Sequence, residues 1–224
     1  MKTYPVIHFL NEKIALEQVS LAKRCGADGV FLISHRGNDD ELGWVALEAR
    51  KIHLDYPIGI NLLTRKPQVA AWVAMENGLD MVWADDMGVD SNGVSETGKS
   101  MAEFAVQHPM IKLFASVAFK YQANEPHPAL AARNALDAGF IPTTSGSGTG
   151  SAPDLEKIIS MSKETSGCLA VASGMTPDNI DKYAPYLSYA LVATGISVDE
   201  HHLDEKKLRR FIKIASKFSQ GNRN

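Results

Sequence analysis

Residues 140–179 read FIPTTSGSGTGSAPDLEKIISMSKETSGCLAVASGMTPDN, and the order of events along them decides the fold. A short apolar run, Phe140–Ser145, leads into a loop dense in Gly, Ser and Thr. A stretch of helical periodicity follows over residues 153–166, and then a second short run, Leu169–Ser173, opens into another glycine-bearing turn. Short apolar strands that alternate with longer helices are the repeating units of a parallel sheet, in which each helix carries the chain back to start the next strand in the same direction.

The alternation extends to both ends of the chain. Further strands are predicted at Pro5–Leu10, Gly29–Ser34, Ile58–Leu63, Met81–Asp85, Lys112–Phe119 and Ala190–Thr194, with helices over about 12–25, 39–54, 66–77, 96–107, 127–138, 177–187 and 203–219. Eight strand–helix pairs in 224 residues leave 28 per unit, compact but sufficient for a (β/α)8 TIM barrel in a single domain, 1–224. A faint repeat supports the count. CGADGV, NGLDMV and DAGFIP close the first, third and fifth helices and put Gly26, Gly78 and Gly139 where a helix needs a left-handed residue before the next strand. An open doubly wound sheet would carry a glycine-rich turn after its first strand, where this chain has HFLNEK.

Composition bounds the function. At 45% hydrophobic and 22% charged residues the chain is an ordinary globular protein, and its net charge of −3 gives no general drive toward nucleic acid or an anionic membrane. Any anion must therefore be held locally. The two cysteines, Cys25 and Cys168, lack a CxxC or Cys/His ligand spacing, so neither a disulfide framework nor a zinc site is expected. The start, MKTYPVIHFLNEK, has no basic segment followed by an apolar one, and no run approaches the roughly 18 apolar residues of a membrane span. The expected address is the cytoplasm, with no bound cofactor and no metal.

In a barrel, binding and catalysis sit at the carboxyl ends of the strands. The loops after the sixth, seventh and eighth strands carry Thr144-Ser145-Gly146-Ser147-Gly148, Ser173-Gly174 and Thr194-Gly195-Ile196-Ser197. Glycine lets backbone N–H groups approach an anion, and hydroxyls add donors without bulk. Ser145, Gly146, Gly148, Gly174, Gly195 and Ser197 are accordingly candidate phosphate ligands, with Gly174 and Gly195 foremost. Thr176-Pro177-Asp178 reads as a helix start, Thr as N-cap and Pro at the first helical position. His8, Asp85 and Lys120 end the first, fourth and fifth strands and are the candidate catalytic residues: a proton carrier, a base and a cation able to polarise a carbonyl or form an imine. Asp86 faces away from Asp85 if the strand continues, so only one of the two points to the axis. Arg36, Asn61 and Thr144 are candidate substrate ligands. Asn11 follows the first strand, and His53, His108, His127, His201 and His202 fall near helix ends, where solvated or capping roles are expected.

The stretch TTSGSGTGSAPDLEKI, followed by ASGMTPDNIDKYAPYLSYALVATGIS and the terminal LDEKKLRRFI, resembles the BtpA-type family of TIM-barrel proteins, as do Val6-Ile-His-Phe-Leu, Gly59-Ile-Asn-Leu-Leu and Phe119-Lys120-Tyr121. The similarity spans most of the chain and is strongest over residues 111–211. It implies a ribulose-phosphate-binding type of barrel and, through that, an enzyme on a phosphorylated sugar or phosphoribosyl compound. Three positions depart from the family pattern: Ser34-His35-Arg36 stands where a Glu-Asn pair is expected, Ser116 where an acid is usual, and Ala84-Asp85-Asp86 in place of a Val-Asn-Val type sequence.

The readings that follow are an isomerase, epimerase or aldol-type lyase acting on a phosphorylated small molecule; a non-catalytic assembly or regulatory protein; and a phosphoribosyl-transfer enzyme. A phosphorylated small molecule is the expected partner, and homo-oligomerisation is expected because it is common among such enzymes.

Overall fold

The computed structural model describes residues 1–218. Eight parallel strands close into a barrel: β1 (Lys2–His8), β2 (Val30–Ile33), β3 (Ile58–Asn61), β4 (Met81–Ala84), β5 (Lys112–Ser116), β6 (Ile141–Thr144), β7 (Ala170–Ala172) and β8 (Tyr189–Val192). Each strand bonds to its neighbours in chain order, and β8 closes on β1 with Lys2 opposite Tyr189 and Pro5 opposite Val192. The outer layer comprises α1 (Glu12–Cys25), α2 (Asp39–Ile52), α3 (Pro67–Glu76), α4 (Glu96–Gln107), α5 (Pro128–Asp137), α6 (Leu155–Glu164), α7 (Ile180–Tyr183) and α8 (Glu205–Ala215). The expected (β/α)8 TIM barrel is the fold observed. No helix among the described residues is long and apolar enough to cross a membrane.

The strand periodicity of two sorts the core into two bodies. Alternate residues Tyr4, Val6, Phe31, Ile33, Met81, Trp83, Phe114 and Leu191 point inward and fill the barrel. Their neighbours, such as Ile7, Val30, Leu32 and Val82, face the helices and join the larger apolar layer. Inside, Phe31 and Phe114 meet edge to face at 5.2 Å, and Tyr4 stacks on Tyr189 at 5.9 Å. Gly59 makes room for them: a Cβ there would lie 2.4 Å from a ring carbon of Phe31.

Gly26, Gly78 and Gly139 end their helices with φ of 86°, 61° and 86°, the left-handed conformation expected of them. Other boundaries moved for identifiable reasons. β1 begins three residues earlier than predicted, because Lys2-Thr3-Tyr4 pairs with β8 despite its mixed polarity. β5 stops at Ser116 and not at Phe119, since Ala118 turns into the left-handed region at φ 48°. The seventh helix, expected over 177–187, is one short turn, Ile180–Tyr183, that starts after Asn179 without a side-chain cap and tightens into a 3-10 turn at Ala184–Tyr186, where Pro185 removes a helical N–H. An antiparallel hairpin, Val89–Asp90 with Gly93–Val94 around Ser91-Asn92, follows β4 and adds to the eight strand–helix pairs expected from the sequence. The last helix ends at Ala215 and a 3-10 turn at Ser216–Phe218; position 219 of its predicted span lies outside the described residues.

Candidate active site

At the carboxyl end of the barrel a cavity of about 390 Å³ is lined by His8, Asp85 and Lys120 together, three residues that are 77 and 35 positions apart in the chain. The inward register explains two of them. His8 follows Tyr4 and Val6 on one face of β1, and Asp85 follows Met81 and Trp83 on one face of β4. Asn61 Nδ2, inward on β3 and buried, donates to Asp85 Oδ1 at 3.1 Å and fixes the carboxylate. Gln122 Nε2 donates to the Asp85 and Ser116 carbonyls. Asp86 turns the other way, accepts from Gly88 N at 2.8 Å and faces a neighbouring cavity bounded by the hairpin.

His8 is half-buried and edge-on to His35, ring centroids 4.8 Å apart. Loss of hydration, reinforced by His35, lowers its pKa to about 4, so the ring is neutral near pH 7. His201 reaches the same place through Nδ1, 3.0 Å from the His8 carbonyl oxygen. Its two positions past Asp199 gave no sign of this, because the contact spans 193 residues.

Lys120 lies in the loop beyond β5. Its ammonium sits over the rings of Phe119 and Tyr121, at 5.7 and 5.9 Å from their centres, and donates to Thr149 Oγ1 at 3.3 Å. Lys120 and Asp85 line one cavity, and the Lys120 ammonium donates to Thr149 Oγ1 without pairing with Asp85. The loop is held from behind by Lys157, whose Nζ donates to the carbonyls of Ala118 and Ser145 at 2.5 and 3.0 Å, while Ser145 Oγ accepts from Lys120 N at 2.7 Å. Burial lowers the Lys157 pKa. The sequence carries no local sign of this role, because a lysine in the third position of a helix is ordinarily a solvated one.

The glycine and hydroxyl residues are divided. Gly174 and Gly195 line the mouth cavity with Thr149, Gly150, Ser173 and Thr194; Ser197 lines the adjoining one with Asp199 and Glu200; Ser145 and Gly146 face a third space on the far side of Lys120. These glycines are also places where loops touch. A Cβ would lie 2.2 Å from Ala152 N at Gly174, 2.0 Å from Met175 O at Gly195, and 2.2 Å from Ser151 O at Gly146, whereas Gly148 has open space around it. Ser173, a residue with a side chain, takes φ 139° at the end of β7, held by its hydroxyl on the Gly148 and Ser151 carbonyls. Thr144 is buried and donates to the Ala118 carbonyl at 3.0 Å; Arg36 is exposed beyond β2. Ser116 accepts from Trp83 Nε1 at 2.9 Å, a role for a hydroxyl at the position where the family resemblance expected an acid. Ser34 Oγ accepts from Arg36 N and Asn38 N, and Asn11 caps α1. No group of three or more His, Cys, Asp or Glu with metal-holding geometry occurs among the described residues.

No family model and no curated protein matches this sequence. Solved structures do match in shape. The phosphoribosyl anthranilate isomerase of Thermotoga maritima aligns with TM-score 0.68 at 15% identity, over 96% of this chain and 99% of that one. A structure described as native KDPGal gives 0.70 at 15%, over 97% and 96%. The likeness is one of fold. A 4-hydroxy-2-oxoglutarate and 2-dehydro-3-deoxyphosphogluconate aldolase from TTHB1 gives 0.61 at 12%, over 96% and 93%, so isomerases and aldolases alike share this barrel.

Proposed function

We propose that this barrel is an enzyme that grips a phosphorylated small molecule at its mouth and moves a proton beside a carbonyl, in isomerase, epimerase or aldol-type lyase chemistry. The observation that carries the reading is that His8, Asp85 and Lys120 line one cavity at the carboxyl end of the strands. Asp85, oriented by Asn61, takes the proton from the carbon next to the carbonyl. The electron pair moves onto the carbonyl oxygen, where the Lys120 ammonium meets the developing charge and the neutral His8 ring offers a hydrogen bond. Protonating the enolate oxygen, removing the proton of the neighbouring hydroxyl and returning a proton to the former carbonyl carbon gives isomerisation. In the lyase outcome the proton taken is instead that of the hydroxyl on the second carbon from the carbonyl; the bond joining that carbon to the one beside the carbonyl breaks to release an aldehyde, and its electron pair becomes the enolate that Lys120 and His8 stabilise. The phosphate is assigned to the Gly174 and Gly195 loops with Thr194 and Ser173, and Ser197 extends that end; a distal grip of this kind supplies binding energy that orients the reacting carbons. The BtpA-type resemblance, a cytoplasmic setting and association into homo-oligomers belong to the same proposal, and sedimentation of the purified chain reads the last directly.

The test is hydrogen exchange. Incubated in D2O with a panel of phosphorylated aldehydes and ketones, the protein should wash deuterium into the carbon beside the carbonyl of at least one of them, detected by NMR. Asp85→Asn and Lys120→Met should each slow this by about a hundredfold or more. Borohydride added during the reaction leaves an adduct on Lys120 only if an imine forms. Wild-type exchange rates in both variants would remove the two residues from the chemistry.

A further inference from the structure

The inward register that places His8 and Asp85 also sets what lies beneath them. Two residues before each, and so one layer deeper, stand Val6 and Trp83, joined by Ile33 and Leu191, all buried and all lining the mouth cavity. Leu63 and Phe119 complete the wall. Trp83 offers no hydrogen bond to a ligand, because its Nε1 already donates to Ser116 Oγ at 2.9 Å. What it presents is ring surface, and Phe119 meets it edge to face at 6.0 Å to make a corner of two aromatic surfaces. A sugar hydroxyl pressed into this layer would give up water and receive nothing in return, whereas a flat ring would gain burial and aromatic contact. The volume of about 390 Å³ admits a ligand larger than a small sugar phosphate alone.

Building on the phosphate-binding reading above, we propose that the substrate is a sugar phosphate bearing a flat, largely apolar aromatic or heteroaromatic ring, with the ring seated on Trp83 and Phe119 below the layer of His8 and Asp85. The ring makes the deep end specific; the phosphate holds the outer end.

Trp83 supplies the reporter. The other two tryptophans, Trp44 and Trp72, are 70% and 58% exposed on the outer helices, so a Trp44→Phe, Trp72→Phe protein leaves Trp83 as the sole emitter. Titrated by fluorescence and calorimetry, AMP should bind at least about tenfold more tightly than ribose 5-phosphate and alter Trp83 emission. Leu63→Gln, at a half-buried wall position, should weaken AMP more than ribose 5-phosphate and so bring that ratio near one. Ribose 5-phosphate binding as tightly as AMP overturns the ring assignment and leaves the phosphate reading standing. Adenosine binding as tightly as AMP does the reverse. Failure of AMP and adenosine both to bind overturns the ring assignment outright.

Discussion

His8 has its Nδ1 buried without a hydrogen-bond partner among the described residues, in contact with a second imidazole. Burial and His35 hold its pKa near 4, against 6.5 for a free histidine. Between those values the unfolded chain binds a proton that the folded chain refuses, so lowering the pH through this window favours unfolding, and below pH 4 the effect levels off. Urea midpoints measured from pH 4 to 7 should therefore fall more steeply for the wild type than for His8→Gln, and parallel curves would show that His8 does not titrate in this way. The identity of His8 as a site residue was legible, since a polar residue ends an otherwise apolar inward face. Its neutral state was not, because that depends on His35 and on the cover provided by the loop after β8.

At the scale of elements, β5 and β6 illustrate how a strand end becomes a loop that aims a side chain. The carbonyl of Ala118, in its left-handed turn, accepts from both Lys157 Nζ and Thr144 Oγ1, and Ser145 passes the restraint to the Lys120 amide. Lys157→Met should lower stability by about 1–3 kcal/mol, since it leaves the Ser145 carbonyl without this charged donor. It should also speed hydrogen exchange at the Lys120 amide, and an unchanged unfolding midpoint with unchanged protection at Lys120 would mean that Lys157 restrains nothing. The strands and most helices were readable from periodicity and from helix-end glycines. The end of β5 was not, because Val117-Ala118-Phe119 continues the apolar run and only tertiary hydrogen bonds explain why the backbone turns there.

For the whole molecule, closure of the barrel depends on fitting Tyr4, Phe31, Phe114 and Tyr189 into one cross-section. Gly59 is the gap that accommodates Phe31, and a Cβ there would also come within 2.8 Å of Met81 Cβ. Gly59→Ala should cost about 1–3 kcal/mol and lower the Tm by several degrees in calorimetry. Because the two closest contacts are with the Phe31 ring, Phe31→Leu in the same chain should cost less than it does alone, the Met81 contact remaining; simple additivity of the two changes would show that the strain lies elsewhere.

Strand–helix alternation, helix-end glycines and the residue types at strand ends are local properties, and these the sequence determined: a (β/α)8 barrel with His8, Asp85 and Lys120 toward one end. Which of two adjacent acids faces the axis was decided only by register, which put Asp85 beside Asn61 and turned Asp86 away. How the glycine loops divide among three spaces, and that Lys120 reaches Thr149 without pairing with Asp85, were likewise settled by contacts between loops. Such contacts join residues tens to hundreds of positions apart. No window of sequence contains them, because the distances between strand ends exist only once the barrel has closed.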